Sequence, residues 1–371
     1  METIYNKTFT NGSNSGLSRF NACVGNNGIF DGKYFLGYDL SVKVLCKTLI
    51  KDTTEIDQLI FPILFNARHA IELYIKDALY NIFKINESIN FIKDMDIDVD
   101  KLQSTHNLDN LWQMFVNNAM KLDRRMQDYI DYQKEYITDY FEIDLSGETF
   151  RYQYTKENTV HLAKTPIVNV VHFYERYNEL SQSMHKLIRF IDYVKHEYHI
   201  YPYTKTLSPN DLLVISKRLG DISTWKEDTF KEIKEAIKTE YSIGSKELCN
   251  AVNIIKETPE YSRFIGIENY FLHASKEKIL TAIKILNEST DKYKEDFEKF
   301  KDFTIDEVLC INVLISGYDI RTRLEYTNCF EIFKRDYSID EAIDNLILKN
   351  QEVAIRRINE NLKRFGIFDL S

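Results

Sequence analysis

Leu64-Phe65-Asn66-Ala67-Arg68-His69-Ala70-Ile71-Glu72-Leu73-Tyr74-Ile75-Lys76-Asp77-Ala78-Leu79-Tyr80-Asn81-Ile82 is the stretch that decides the fold. Leu64, Ile71, Ile75, Ala78, Leu79 and Ile82 recur at helical spacing and make one broad apolar stripe. Arg68, Glu72 and Lys76 follow one another at i, i+4 and i+8, and His69 lies within a turn of Glu72. At roughly 100° per residue these four polar groups share an arc of about 100° beside the apolar stripe. Two cations, a carboxylate and an imidazole exceed what a core-filling helix needs. Two roles fit them: a structural i,i+4 ladder, or a polar site. His69 fits a satisfied core histidine as readily as a ligand.

Working outward, Tyr38 to Lys51 reads as a first helix. Thr53 or Thr54 is placed to cap the next, with Glu55 and Asp57 complementing its dipole. Pro62 predicts a kink or a fresh start near Phe61. Asn86 to Gln103 reads as an acidic loop, without the glycine and terminal glutamate of a calcium loop. Leu108 to Met120 and Arg125 to Phe141 are expected helices. Thr149 to Thr155 alternates aromatic and polar residues, which points to a short strand or extended loop. A long helix is expected from Pro166 to about Tyr198.

Pro202, Pro209 and the polar residues around them mark a boundary. Beyond it, Asp211 to Arg218, Lys226 to Lys238, Ser245 to Lys256, Lys276 to Leu286, Ile305 to Ser316 and Asp340 to Phe365 show helical periodicity. The short helices around Ser242-Ile243-Gly244-Ser245 hint at a helix-turn-helix unit, with Lys246, Asn250, Asn253 and Lys256 as its polar residues. Ordinary helical packing accounts for the same pattern. The expected organisation is an N-terminal extension and first helix (1–54), a helical bundle (55–204) and a helical C-terminal domain (205–371). The Asn/Gly/Ser-rich lead-in contains Gly25-Asn26-Asn27-Gly28, but no strand precedes it and no Gly-Lys-Ser/Thr follows, so it reads as a turn.

Bulk properties agree with an all-α chain. Only 12 Gly and 5 Pro interrupt 371 residues that hold 24 Tyr and 23 Phe, so long elements with few tight turns are expected. Hydrophobic content of 44% beside 28% charged residues matches a globular protein with a real core. The net charge of −9 excludes a strongly basic nucleic-acid binder by composition, so any polyanion site must be local. Five dispersed cysteines without a Cys-x-x-Cys pair support neither a zinc ribbon nor a disulfide framework. The polar N-terminus lacks a signal-peptide layout, and no run reaches the ~18 apolar residues of a spanning helix. A cytoplasmic protein away from the membrane, with no cofactor and no metal site, is expected.

Three patches in order resemble the HEPN superfamily of prokaryotic helical domains. They are Glu72-Leu73-Tyr74-Ile75-Lys76-Asp77-Ala78-Leu79, His106-Asn107-Leu108 and Phe150-Arg151-Tyr152. The resemblance covers roughly 55 to 200, and 205 to 371 matches no family pattern. It implies a bundle of four or five helices, a homodimer, and metal-independent RNA cleavage in a toxin or antiphage-defence setting, with an antitoxin or second defence subunit as a further partner. The family also includes non-catalytic modules that bind a nucleotide or a protein. Its usual motif, Arg followed after four to six residues by His, has one match here, Arg189 to His196. The implied catalytic pair is therefore Arg189 and His196. Arg68, His69, Glu72, Lys76, His106, Arg151 and Tyr198 would serve the substrate. The chemistry would be attack of the ribose 2′-oxygen on phosphorus, with a histidine moving the proton and an arginine stabilising the phosphoryl oxygens. Each of these residues also has a plainer reading: a surface pair of Arg189 with Asp192, a helix-ending His196, an N-terminal anchor in His106, and an Arg151 stacked on its aromatic neighbours.

Overall fold

The computed structural model describes residues 17–22, 33–89, 91–92, 94–144, 149–150, 166–267, 270–288, 293–317, 320, 322–365 and 367. Among them there are sixteen α-helices and no strand, so the protein is all-α. The chain divides into two compact units, Met1–Asp192 and Tyr193–Ser371. No helix among the described residues is long and apolar enough to cross a membrane.

The first unit holds α1 (Lys33–Lys51), α2 (Ile56–Ile89), α3 (Val99–Ser104), α4 (Leu108–Leu122), α5 (Gln127–Ile143) and most of α6 (Val170–Ile200). Val42, Cys46 and Leu49 of α1, Ile63 and Ala67 of α2, and Val170 and Tyr177 of α6 share one core. Polar bridges tie the same bundle together. Tyr74 of α2 donates to Gln133 of α5 at 3.0 Å, and Gln133 donates to Ser183 of α6 at 3.0 Å, all three groups being buried. A buried amide is tolerated there because both its oxygen and its nitrogen are satisfied.

Several local expectations need correction. α2 runs through Pro62 without a break. The proline lies near the helix start with its ring exposed, so one lost backbone bond is offset by the long buried stripe that follows. Neither Thr53 nor Thr54 caps that helix; Asp52 instead accepts from the Thr54 amide at 3.0 Å, and Leu59 N–H bonds Glu55 O. The acidic stretch is not wholly loop, since α2 extends to Ile89 and Asp98 caps α3 through the Lys101 amide. Thr149 and Phe150 form a turn, and the remainder of that expected extended segment lies outside the described residues.

In the second unit, α7 (Pro209–Leu219) opens on a reciprocal cap between Ser208 and Asp211. α8 (Asp228–Tyr241), α9 (Ser245–Glu257) and α10 (Pro259–Ser262) close a first core with it. α11 (Lys276–Asn287), α12 (Tyr293–Lys299), α13 (Ile305–Ile315), α14 (Arg323–Asp336), α15 (Ile339–Ile347) and α16 (Gln351–Phe365) surround a second. Val308 through Ile315 are all buried, the mark of a helix enclosed on every side. The expected single helix from Asp340 to Phe365 is two, because Asn350 accepts from the Val353 amide at 3.1 Å and starts α16 afresh. Helical periodicity alone does not mark α14, although Thr322 and Glu325 make a reciprocal cap at its start.

Candidate functional site

The polar stripe of α2 lies inside the protein. Arg68, Glu72 and Lys76 are 1%, 2% and 4% exposed. Glu72 holds both cations, with Oε2 at 2.6 Å from Arg68 Nη1 and Oε1 at 2.8 Å from Lys76 Nζ. His106 Nδ1 adds a third contact at 2.9 Å from Oε1. The remaining donors find main-chain carbonyls. Arg68 Nη2 bonds His106 O at 2.6 Å, Arg68 Nε bonds Asp144 O at 3.1 Å, and Lys76 Nζ bonds Gln103 O at 3.0 Å. Burial pushes the Glu72 carboxyl pKa up, but the Lys76 hydrogen bond and charge, the His106 bond and the Arg68 charge outweigh it and hold it below its ordinary value. The network pins α2 to the entry of α4 and the exit of α5. Asn107 caps α4 through the Asn110 amide at 2.9 Å, which fixes the chain so that His106 can reach inward.

His106 is the outer edge of this network, its side chain 58% exposed. His69 stays apart. Its ring stacks on Phe65 and meets Tyr38 edge-on, and burial lowers its pKa, so it is a neutral aromatic packing group at neutral pH. The structure therefore brings Arg68, Glu72, Lys76 and His106 together. Arg151 lies outside the described residues. Arg189 is exposed on α6 in the first unit, its Nε donating to His185 O at 3.3 Å, with no ion pair to Asp192. In the second unit, His196 is exposed with Nε2 at 3.3 Å from Glu325, and Tyr198 is buried with its ring edge-on to Tyr203.

A second cluster, absent from the sequence reading, joins α1 to α6. Asp39 lies on the face of α1 that buries Phe35, Val42 and Cys46. Tyr177, Ser181 and His185 face it from three successive turns of α6. Asp39 Oδ1 accepts from Ser181 Oγ at 2.6 Å and Tyr177 OH at 3.0 Å. Oδ2 accepts from Lys43 Nζ at 2.7 Å and lies 3.1 Å from His185 Nε2. Lys43 Nζ also donates to Ser181 Oγ at 2.7 Å. Burial raises the Asp39 pKa, yet bonds from His185, Lys43 and Ser181 and the Lys43 charge prevail and leave it far below the ordinary carboxylate range. An ionised carboxylate only accepts, so His185 Nε2 carries the proton that faces Asp39. The His185 side chain is 28% exposed. Ser181, fully buried and already bonded twice, is closed to substrate.

A cavity of about 490 Å³ lies between α5 and the start of α6, lined by Tyr136, Tyr140, Phe150, Phe173 and Tyr177. Arg176 at its edge is bound to Glu135 and Asp139, each at 2.9 Å, and lies over the Tyr136 ring. Among the described residues no group of three His, Cys, Asp or Glu side chains is placed to hold a metal ion. Comparison with protein-family models, with curated proteins and with solved structures finds no match.

The missed signal was readable in part. Asp39 is the one carboxylate in the sequence of α1, and Tyr177, Ser181 and His185 repeat at i, i+4 and i+8, as Arg68, Glu72 and Lys76 do. Nothing in the sequence pairs the two elements across 138 or more residues.

Proposed function

We propose that the first unit is a HEPN-like domain cleaving RNA without a metal, in a toxin or antiphage-defence role. The observation that carries the reading is the Asp39–His185 hydrogen bond, which orients a partly exposed imidazole one helical turn from the exposed Arg189. His185 Nδ1 takes the ribose 2′-OH proton, and the oxygen attacks phosphorus. The 5′-oxygen departs with the proton that the imidazolium returns, leaving a 2′,3′-cyclic phosphate and a 5′-hydroxyl. Arg189 stabilises the nonbridging oxygens through paired N–H donors. Asp39 is a positioning residue that fixes the tautomer. Arg68, Glu72 and Lys76 hold the bundle together and do not meet substrate, which argues against a nucleotide bound on that stripe. A homodimer that presents two such dyads, with an antitoxin or second subunit restraining it, belongs to the same proposal.

The test is cleavage of a mixed RNA pool by the full chain and by His185→Ala, Arg189→Ala and His196→Ala, each checked by thermal melting. Loss of a true acid–base or phosphate-binding group costs about 10²–10⁴ in rate. We expect that loss for His185→Ala and Arg189→Ala. If His196→Ala is dead while His185→Ala stays active, the proton belongs to the Arg189–His196 motif. If the wild-type chain leaves RNA intact, the catalytic reading fails. A binding module then replaces it, with the aromatic cavity between α5 and α6 as its site.

A further inference from the structure

The cavity between α5 and α6 has a chemistry of its own. Five rings wall it, those of Tyr136, Tyr140, Phe150, Phe173 and Tyr177. Phe173 and Tyr177, one turn apart on α6, have ring centroids 5.9 Å apart and planes inclined by 12°, which gives that side a flat aromatic wall. A space of about 490 Å³ is the size of a small-molecule site, and native interiors leave few voids larger than a water molecule. Large aliphatic side chains stand at the edge of the same cavity. Ile143 is 40% exposed and Ile167 is 86% exposed. An occupant with an apolar body would cover both and fill the space between the rings.

Charge decides the kind of occupant. Arg176 lines the cavity, but its Nη2 donates at 2.9 Å to both Glu135 and Asp139, so its charge is more than met. Glu142 lies one turn beyond Asp139 on α5, is exposed, and borders the same space. It makes no hydrogen bond or ion pair among the described residues. One guanidinium against three carboxylates leaves this edge acidic, with the exposed His172 beside it. Aromatic faces carry partial negative charge and attract a cation held within about 6 Å of the ring centre. The protein already uses that attraction here, since Arg176 Cζ lies 4.5 Å from the centre of the Tyr136 ring. An anion entering the cavity would meet carboxylates at the edge and the electron-rich faces of the rings within.

We propose that this cavity binds a lipophilic organic cation, its apolar body among the rings and its ammonium against Glu142. The proposal rests on the cavity and not on the RNA-cleaving reading, whose polyanionic substrate the same carboxylates would repel, so each can fail alone. The test is calorimetric titration of the full chain with three probes that share a phenylalkyl body: phenylbutyltrimethylammonium, neutral phenylbutanol and anionic phenylpentanoate. A buffer at about pH 8 keeps imidazole charge out of the comparison. The ammonium probe is expected to bind about 2- to 30-fold more tightly than phenylbutanol, the range that a cation on aromatic faces supplies, and phenylpentanoate most weakly. Glu142→Gln should narrow the gap between cation and alcohol, and Glu142→Lys should reverse the order of cation and anion. Glu142 is exposed, so unchanged melting confirms that both variants fold. Phe173→Leu, which keeps an apolar wall without a ring, should weaken the cation more than the alcohol. The proposal is overturned if the ammonium probe does not bind, if phenylbutanol or phenylpentanoate binds as tightly, or if Glu142→Gln keeps the full preference for the cation.

Discussion

Replacing Glu72 by alanine is the sharpest probe of the buried stripe. The substitution removes the acceptors at 2.6 Å from Arg68, 2.8 Å from Lys76 and 2.9 Å from His106. Arg68 keeps two carbonyls, His106 O and Asp144 O, whereas Lys76 keeps only Gln103 O. Lys76 is then a buried cation without a counter-charge, while Arg68 retains the more distant Asp144 carboxylate at 3.8 Å. Breaking a buried pair in this way costs about 3–5 kcal/mol, against about 0.4–1 kcal/mol if the two i,i+4 pairs were a solvated ladder. At about 2–4 °C per kcal/mol for a domain of this size, the melting temperature of the first unit should fall by roughly 6–20 °C. Urea unfolding followed by circular dichroism measures it. Glu72→Gln keeps one acceptor oxygen and should lose less than alanine. The pH dependence has a definite sign. The Glu72 pKa is lowered by folding, so its stabilisation is present above its unfolded value and disappears as pH falls through the folded one. Wild type and Glu72→Ala should therefore converge in acid. A loss under 1 kcal/mol at pH 7 would refute the buried-network account.

Asp39→Asn should remove stabilisation of the same sign. The wild-type chain weakens as pH drops below the ordinary carboxylate range, and the variant should lack that segment of the acid-denaturation curve. Asp39→Asn should also shift the pH–rate profile of any cleavage through His185 while leaving substrate affinity unchanged, which kinetics across pH 5–9 would read as a general window for histidine. Gln133→Leu strands the Tyr74 hydroxyl and the Ser183 hydroxyl, at about 1–3 kcal/mol for each unsatisfied group, measured by chemical denaturation. Ser242→Gly relieves a left-handed conformation that costs a non-glycine residue about 1–2 kcal/mol, so calorimetry should show a second unit no less stable than wild type, and Ser242→Val one clearly less so.

The all-α class was legible because period-3.6 patterning needs only local sequence. The boundaries of α4, α5, α7, α9 and α11 lie within a few residues of expectation for the same reason. What escaped depended on partners. α14 buries Tyr326, Cys329, Phe330 and Phe333 at helical spacing, but its polar and aromatic composition hides that face until α13 packs on it. The break before α16 turns on one asparagine side chain capping an amide, a choice that periodicity cannot see. The stripe of α2 was found as a unit, and its ladder was one of its two readings. Which reading applies depends on burial, and burial is a property of the bundle.

Burial also separates the two polar clusters of the first unit, which are built from similar chemistry. In α2 a carboxylate lies between two cations that are 1% and 4% exposed, and every donor there ends on a protein oxygen. The buried members of that network offer no open valence for a substrate, and removing one costs stability before it costs anything else. Between α1 and α6 a carboxylate is equally buried, but the imidazole that it orients is 28% exposed. Acid–base work requires a held partner and an accessible proton site together. Of the histidines near these clusters, His69 has its ring packed between aromatics and its charge suppressed, and His106, also carboxylate-bound and exposed, shares Glu72 with two buried cations that no substrate can reach. His185 meets both conditions and has the exposed Arg189 one turn further along α6 as a phosphate partner, which is why the proposed chemistry is placed there.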